Sequence, residues 1–229
     1  MILKSAETVF EMPEPGVYPA RLYRIIDLGH QETTWQGETK LQHKILFSFE
    51  IIDRDARMSD GRNFSVSRRF TASLAENAAL KKFLQGWRGK GITPEEVSQG
   101  FDLNALIGKP ALLNLVETQR GDRKYLNIDG ASPLPRGMVI GNCENELLIF
   151  DLAKPDLAVF ESLSDGLKKT IEASPEWARF IGSGPLKTAD APIPDRSATA
   201  YRRDPPKAPK PEPALAEGSD VPFDDDIPW

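Results

Sequence analysis

Cysteine and histidine are scarce: the 229 residues hold one Cys and two His. A single Cys excludes a disulfide framework within one chain and a Cys-rich zinc site. His30, His43 and Cys143 lie too far apart in sequence for a His/Cys metal motif, so no metal site and no cofactor is expected. Long apolar runs are absent as well. None reaches the ~18 residues that a membrane span needs, so no membrane partner is expected. The start, MILKSAETVF, lacks the basic region, apolar stretch and small-residue cleavage site of a secretory leader. The expectation is a soluble, cytoplasmic protein.

Catalytic signatures are missing too. The glycines at 182 and 184 do not sit between a strand and a helix, which disfavours a phosphate loop. Asp53, Asp55, Asp60 and Gly61 lack the spacing and final Glu of a calcium-binding EF-hand. No nucleophile–base arrangement stands out, so the chain is not expected to be an enzyme.

What is present is an uneven charge. The formal net charge is −5. Residues 20–138 carry a net +4, whereas 1–19 carry −2, 139–183 carry −4 and 184–229 carry −3. An acidic chain with a basic segment remains able to meet a nucleic acid there.

Hydrophobic periodicity reads 18–131 as strands around one helix. YPARLYRIIDLG is a strand ended by Gly29, followed by a polar loop carrying Trp35. LQHKILFSFEII alternates: His43, Ile45, Phe47, Phe49 and Ile51 share one face, and Lys40, Gln42, Lys44, Ser48 and Glu50 the other. His43 therefore reads as a packed core histidine. RNFSVSRRFT is a third strand. AENAALKKFLQGW is a helix with the stripe Leu80, Phe83, Leu84 and Trp87. TPEEVSQG starts a short helix with a capping box, Thr93 to Glu96. PALLNLVET and RKYLNIDGAS form a hairpin about Gly121. The order β-β-β-α-β-β is that of an OB-fold. The predicted class is therefore mainly β: a five-stranded OB-fold barrel with a helix between strands 3 and 4, covering 1–138.

Residues 139–183 read as an acidic helical accessory segment, with NELLIFDLA taken as helical and Ser174-Pro175-Glu176 as a helix start. Whether it packs on the barrel or stands apart is open at this level. Residues 184–218 are expected to be a disordered linker: ten of the 19 prolines fall in the last 46 residues, and little there is able to offset the entropy of ordering. Residues 219–229 return to bulky apolar residues among carboxylates.

The chain ends Asp224-Asp225-Asp226-Ile227-Pro228-Trp229. This resembles the terminal peptide of bacterial single-stranded DNA-binding proteins, Asp-Asp-Asp-Ile-Pro-Phe, at five of six positions, with Trp229 in place of Phe. The preceding Pro-rich linker and OB order match that family's layout. The body resembles it only in layout and is more like divergent OB proteins of phages and mobile elements. The resemblance implies sequence-independent binding of single-stranded DNA in replication, recombination or repair, in a bacterial host cytoplasm. It implies recruitment of partner proteins through Asp224, Asp225, Asp226, Ile227, Pro228 and Trp229. Physically, the apolar plug and free carboxylate suit a pocket with a basic rim.

Single strands are held by basic grooves and aromatic platforms. The candidates are Arg21 and Tyr23 on strand 1, Trp35 in the first loop, and Lys40 and Lys44 on strand 2. Arg69 on strand 3 joins them, with Arg120, Arg123 and Tyr125 around the last hairpin. Two alternatives remain: an interaction adaptor that mimics a host DNA-binding protein's tip, and a strand-annealing recombination protein. Self-association is left open.

Overall fold

The structure is a computed structural model. It describes residues 11–182, without residues 36 and 122 and without the side chains of Trp35, Arg120 and Arg123. The linker and the Asp224–Trp229 end lie outside the described residues.

Strands β1 (Gly16–Trp35), β2 (Glu38–Ile51) and β3 (Ser65–Thr71) come first. Helices α1 (Ala79–Arg88) and α2 (Pro94–Gln99) are next, then a 3-10 turn at Asn104–Leu106. Strands β4 (Pro110–Arg120) and β5 (Arg123–Ser132) form the last hairpin. The acidic segment supplies a short strand β6 (Leu148–Phe150) and helices α3 (Leu157–Ser162), α4 (Asp165–Glu172) and α5 (Pro175–Gly182). Among the described residues no helix is long and apolar enough to cross a membrane.

The protein is mainly β, with one six-stranded sheet in the order β3-β2-β1-β4-β5 and β6 paired to β1. All ladders are antiparallel except β1–β6, which is parallel. The edge strands β3 and β5 share no ladder, so the sheet is not closed by hydrogen bonds. Arg68 of β3 nonetheless spans the gap: its Nη1 donates to the carbonyls of Ile128 at 2.6 Å and Asp129 at 2.7 Å on β5.

The inner face of the sheet forms the first core. Phe47, Phe49 and Ile51 of β2 and Leu113 and Leu115 of β4 are buried there, as alternation requires. Helix α1 covers this core with Leu80, Phe83, Leu84 and Trp87, the predicted stripe. Phe83 lies 4.9 Å from Phe70 and Trp87 5.4 Å from Phe49, ring to ring. Trp87 satisfies its indole N–H on the Pro110 carbonyl at 2.7 Å. Gly86 lets the helix approach β5, since a Cβ there would meet the Ala131 carbonyl at 2.8 Å. The capping box of α2 is formed as predicted. Its Glu96 also pairs with Arg88 at 2.6 Å, and the guanidinium and the Thr93 N–H bring its pKa down to about 2.

Two sequence expectations are corrected. Gly29 does not end the first strand: β1 continues to Trp35, so the supposed loop is a strand extension paired to β2. The register slips by one residue between Leu22 and Arg24 and again between Asp27 and Gly29. These β-bulges leave Tyr23 and Leu28 as extra residues, and each reverses the facing of the strand beyond it. NELLIFDLA is not a helix. Its Leu148–Phe150 pairs with β1 at Arg24–Ile26, where that strand has an open edge.

The acidic segment packs on the sheet. Ile26, Leu28 and Leu46 on the outer face meet Phe150, Leu152, Phe160, Leu163, Leu167, Ile171 and Trp177 in a second core. Phe160 and Trp177 stack at 4.1 Å. Ser174 caps α5 by accepting from the Trp177 N–H at 3.2 Å. At the corner before α5 the packing needs glycine on β1. Gly29 has φ +69°, and a Cβ there would lie 2.6 Å from the Ser174 Cβ.

Candidate nucleic-acid interface

The outer face of β1–β2–β3 is mixed: Ile26, Leu28 and Leu46 pack into the second core, and polar or charged side chains stand beside them. Its composition is set by the first bulge. Simple alternation from the buried Leu22 would send Arg24 inward. The slip at Tyr23 instead pairs Arg24 with Ser48 and turns Ile25 to the first core.

Cross-strand register then assembles an outward row. Arg24 lies beside Ser48, which lies beside Ser67. Leu46 lies beside Arg69, and Lys44 beside Thr71. Arg24 Nε donates to Ser48 Oγ at 3.3 Å, and Ser67 Oγ donates to Ser48 Oγ at 2.9 Å. Lys44 Nζ donates to Thr71 Oγ1 at 3.2 Å. Arg69 Nη2 donates to Thr170 Oγ1 of α4 at 3.4 Å, so α4 borders the row. Lys40 continues it along β2, ~13 Å beyond Lys44 at the usual strand rise. Lys40 is exposed and 3.0 Å from the Glu38 carboxylate, a surface pair worth little in energy. Arg24, Lys40, Lys44 and Arg69 thus share one outer face.

Of the other candidates with described side chains, Arg21, Tyr23 and Tyr125 do not join this row. Arg21 is outward but spent on structure. Its guanidinium donates to the carbonyls of Gly141 at 2.5 Å, Gly108 at 2.9 Å and Ile140 at 3.1 Å. Tyr23, expected on the DNA-facing side, is the bulged residue and is buried, at 8% exposure. Tyr125 is half-buried on β5 opposite Thr118. The backbones of Arg120 and Arg123 pair at the tip of the β4–β5 hairpin, and that of Trp35 pairs with Glu38 at the tip of the β1–β2 hairpin. Because Leu115 sits opposite Gly16, the β4–β5 tip extends past the start of β1, whereas the β1–β2 tip lies at its other end. The side chains of Trp35, Arg120 and Arg123, and the whole Asp224–Trp229 end, lie outside the described residues.

Sequence reasoning missed Arg24 and Thr170. No local pattern signals a bulge at Tyr23, and Thr170 reaches the row only through tertiary packing.

Part of the outer face is closed off by residues 140–145. The Glu50 carboxylate, fully buried, accepts from Asn63 Nδ2 and Glu144 N at 2.7 Å on one oxygen. Its other oxygen accepts from Asn145 N at 2.8 Å and Asn145 Nδ2 at 2.6 Å. Burial pushes the Glu50 pKa up, but these four donors more than reverse that and lower it. Burial and the nearby Glu50 push the Cys143 thiol up to about 11, so it stays protonated at neutral pH. Among the described residues no three His, Cys, Asp or Glu side chains converge as metal ligands.

No protein-family model matches the chain, and no curated protein matches it either.

Proposed function

We propose that this chain binds single-stranded DNA without sequence preference, during replication, recombination or repair, and recruits partner proteins through Asp224–Trp229. Its sheet is read as an OB-type barrel in which Arg68 bridges β3 to β5 in place of a closing ladder. The observation that carries the reading is one conjunction: this strand order, with α1 between β3 and β4, in a chain that ends Asp-Asp-Asp-Ile-Pro-Trp. The outward row of Arg24, Lys40, Lys44 and Arg69 supports it by supplying cations along one face. In this reading the strand's phosphates run along that row, and Arg21 and Tyr23 serve the fold.

Each phosphate neutralised on a single strand contributes about −0.7 to the slope of log affinity against log salt, so four contacts give a slope of about −3. The test is a fluorescence titration of the full chain with oligo-dT across a salt series. The double variant Lys44→Gln/Arg69→Gln is expected to bind more weakly and to reduce the slope by about 1.4. No binding at low salt, with or without residues 219–229, overturns the reading.

One observation favours the adaptor instead. Residues 140–145 and the second core cover much of the outer face of β1–β2, which leaves less sheet for a strand to lie on. An adaptor would bind oligo-dT no better than its weak charge allows, so the same titration separates the two.

A further inference from the structure

Asp27, His43, His30 and Glu176 stand in a row where β1, β2 and α5 meet. His43 Nε2 lies 2.6 Å from Asp27 Oδ1. His30 Nδ1 lies 2.6 Å from Glu176 Oε1. The two imidazole rings stack with centroids 5.0 Å apart. Carboxylates only accept, so each of these ring nitrogens carries a proton. Glu176 Oε2 also accepts from the His30 backbone N–H at 3.0 Å. His43 is thus no core histidine: its side chain is 37% exposed and its ring is spent on Asp27 and His30. Among the described residues, Asp151, just after β6, and Arg179 of α5, 3.4 Å from Glu176, also face the row.

We propose that this row is a proton-operated clasp that holds helix α5 against the base of the β1–β2 hairpin. A charged His43 neutralises Asp27 and attracts Glu176 and Asp151, so three carboxylates from separate parts of the chain gather about one cation. When His43 loses its proton, that attraction goes and its bond to Asp27 loses charge assistance. The hydrogen bonds persist, so the clasp loosens without opening.

The direction of the titrations agrees. The bond to Asp27 raises the His43 pKa above its ordinary 6.5, against burial, with Glu176 and Asp151 adding to the rise. Burial would raise Glu176, but the His30 donors reverse this and hold it below its ordinary 4.5. A raised His43 stabilises fully below its ordinary 6.5, and that contribution fades as pH rises through the folded value. A lowered Glu176 stabilises above its ordinary 4.5, and that contribution is lost as pH falls through its folded value. The clasp is therefore tightest between those two values and loosens on the alkaline side. None of this depends on a DNA ligand.

The chain has only two histidines, so its imidazole NMR signals are few enough to assign. The experiment tracks the His43 ring and the hydrogen-exchange protection of α5 amides in the full chain from pH 5.5 to 8.5. Protection is corrected for intrinsic exchange, and α1 amides serve as the internal reference. The expected result is a His43 midpoint above 6.5, with α5 protection falling on the order of threefold to tenfold through that midpoint. The α1 amides should not change with it. Glu176→Gln should flatten the α5 dependence, and Asp27→Asn should lower the His43 midpoint. A His43 midpoint at or below 6.5, or α5 protection that is equal at both ends of the range, overturns the proposal. The unmodified chain alone decides this, whatever the variants do to folding.

Discussion

Replacing Glu50 by Gln changes one oxygen into an NH2 group and leaves the side chain's shape intact. In the native chain four N–H groups converge on this buried carboxylate, two on each oxygen. The variant turns a donor toward two of those donors. Two hydrogen bonds are lost, and the other two lose their charge assistance. Hydrogen bonds to a buried charged group contribute about 1.5–3 kcal/mol each, so the loss should be about 3–5 kcal/mol after partial rearrangement. For a folded unit of this size that lowers Tm by about 6–20 °C, at ~2–4 °C per kcal/mol. Thermal denaturation at pH 7 monitored by circular dichroism measures it. The deficit also has a pH signature. The folded Glu50 pKa is lowered, so its stabilisation is present above the ordinary carboxylate value and lost as pH falls through the folded value. Variant and parent should therefore converge in acid. A Tm within ~2 °C of the parent at pH 7 would refute the argument that Glu50 anchors residues 144–145 over the sheet.

Other consequences are equally direct. Gly29→Ala forces a side chain into a left-handed backbone position and against Ser174, so chemical denaturation should show a loss of about 1–3 kcal/mol, larger than for Gly37→Ala in open space. Arg68→Met removes both bonds that span β3 and β5. Hydrogen exchange should then quicken along β5 near Ile128 and Asp129, and Arg68→Lys should restore it only in part, because an ammonium is a point charge without a planar fork.

Much of the architecture was legible because its signals are local. The period-two alternation of β2, the apolar stripe of α1 and the Thr93–Glu96 capping box each depend on residues a few positions apart. The three-residue strand at Leu148–Phe150 was not legible. A short apolar run suits a strand or a buried helix equally, and only the open edge of β1 at Arg24–Ile26 selects the strand. His43 fell on the apolar face of its strand, and nothing local announced that Asp27 and His30 would draw it to a polar partnership.

The candidate interface divides along the same line. The chain's own order of residues determined a polar face on β2 bearing Lys40, Lys44 and Glu50, because side chains alternate along any extended strand. Tertiary structure decided what became of that face. Residues 140–145 descend on one end of it and bury Glu50, while Lys40 at the far end stays exposed. Tertiary structure also decided which arginine of β1 joins the row, since the bulge at Tyr23 shifts facing by one residue and turns Arg24 outward in register with Ser48. Alternation is a property of a single strand. Covering and register depend on which strand, strap or helix arrives beside it, and those partners lie up to about a hundred residues away in the chain.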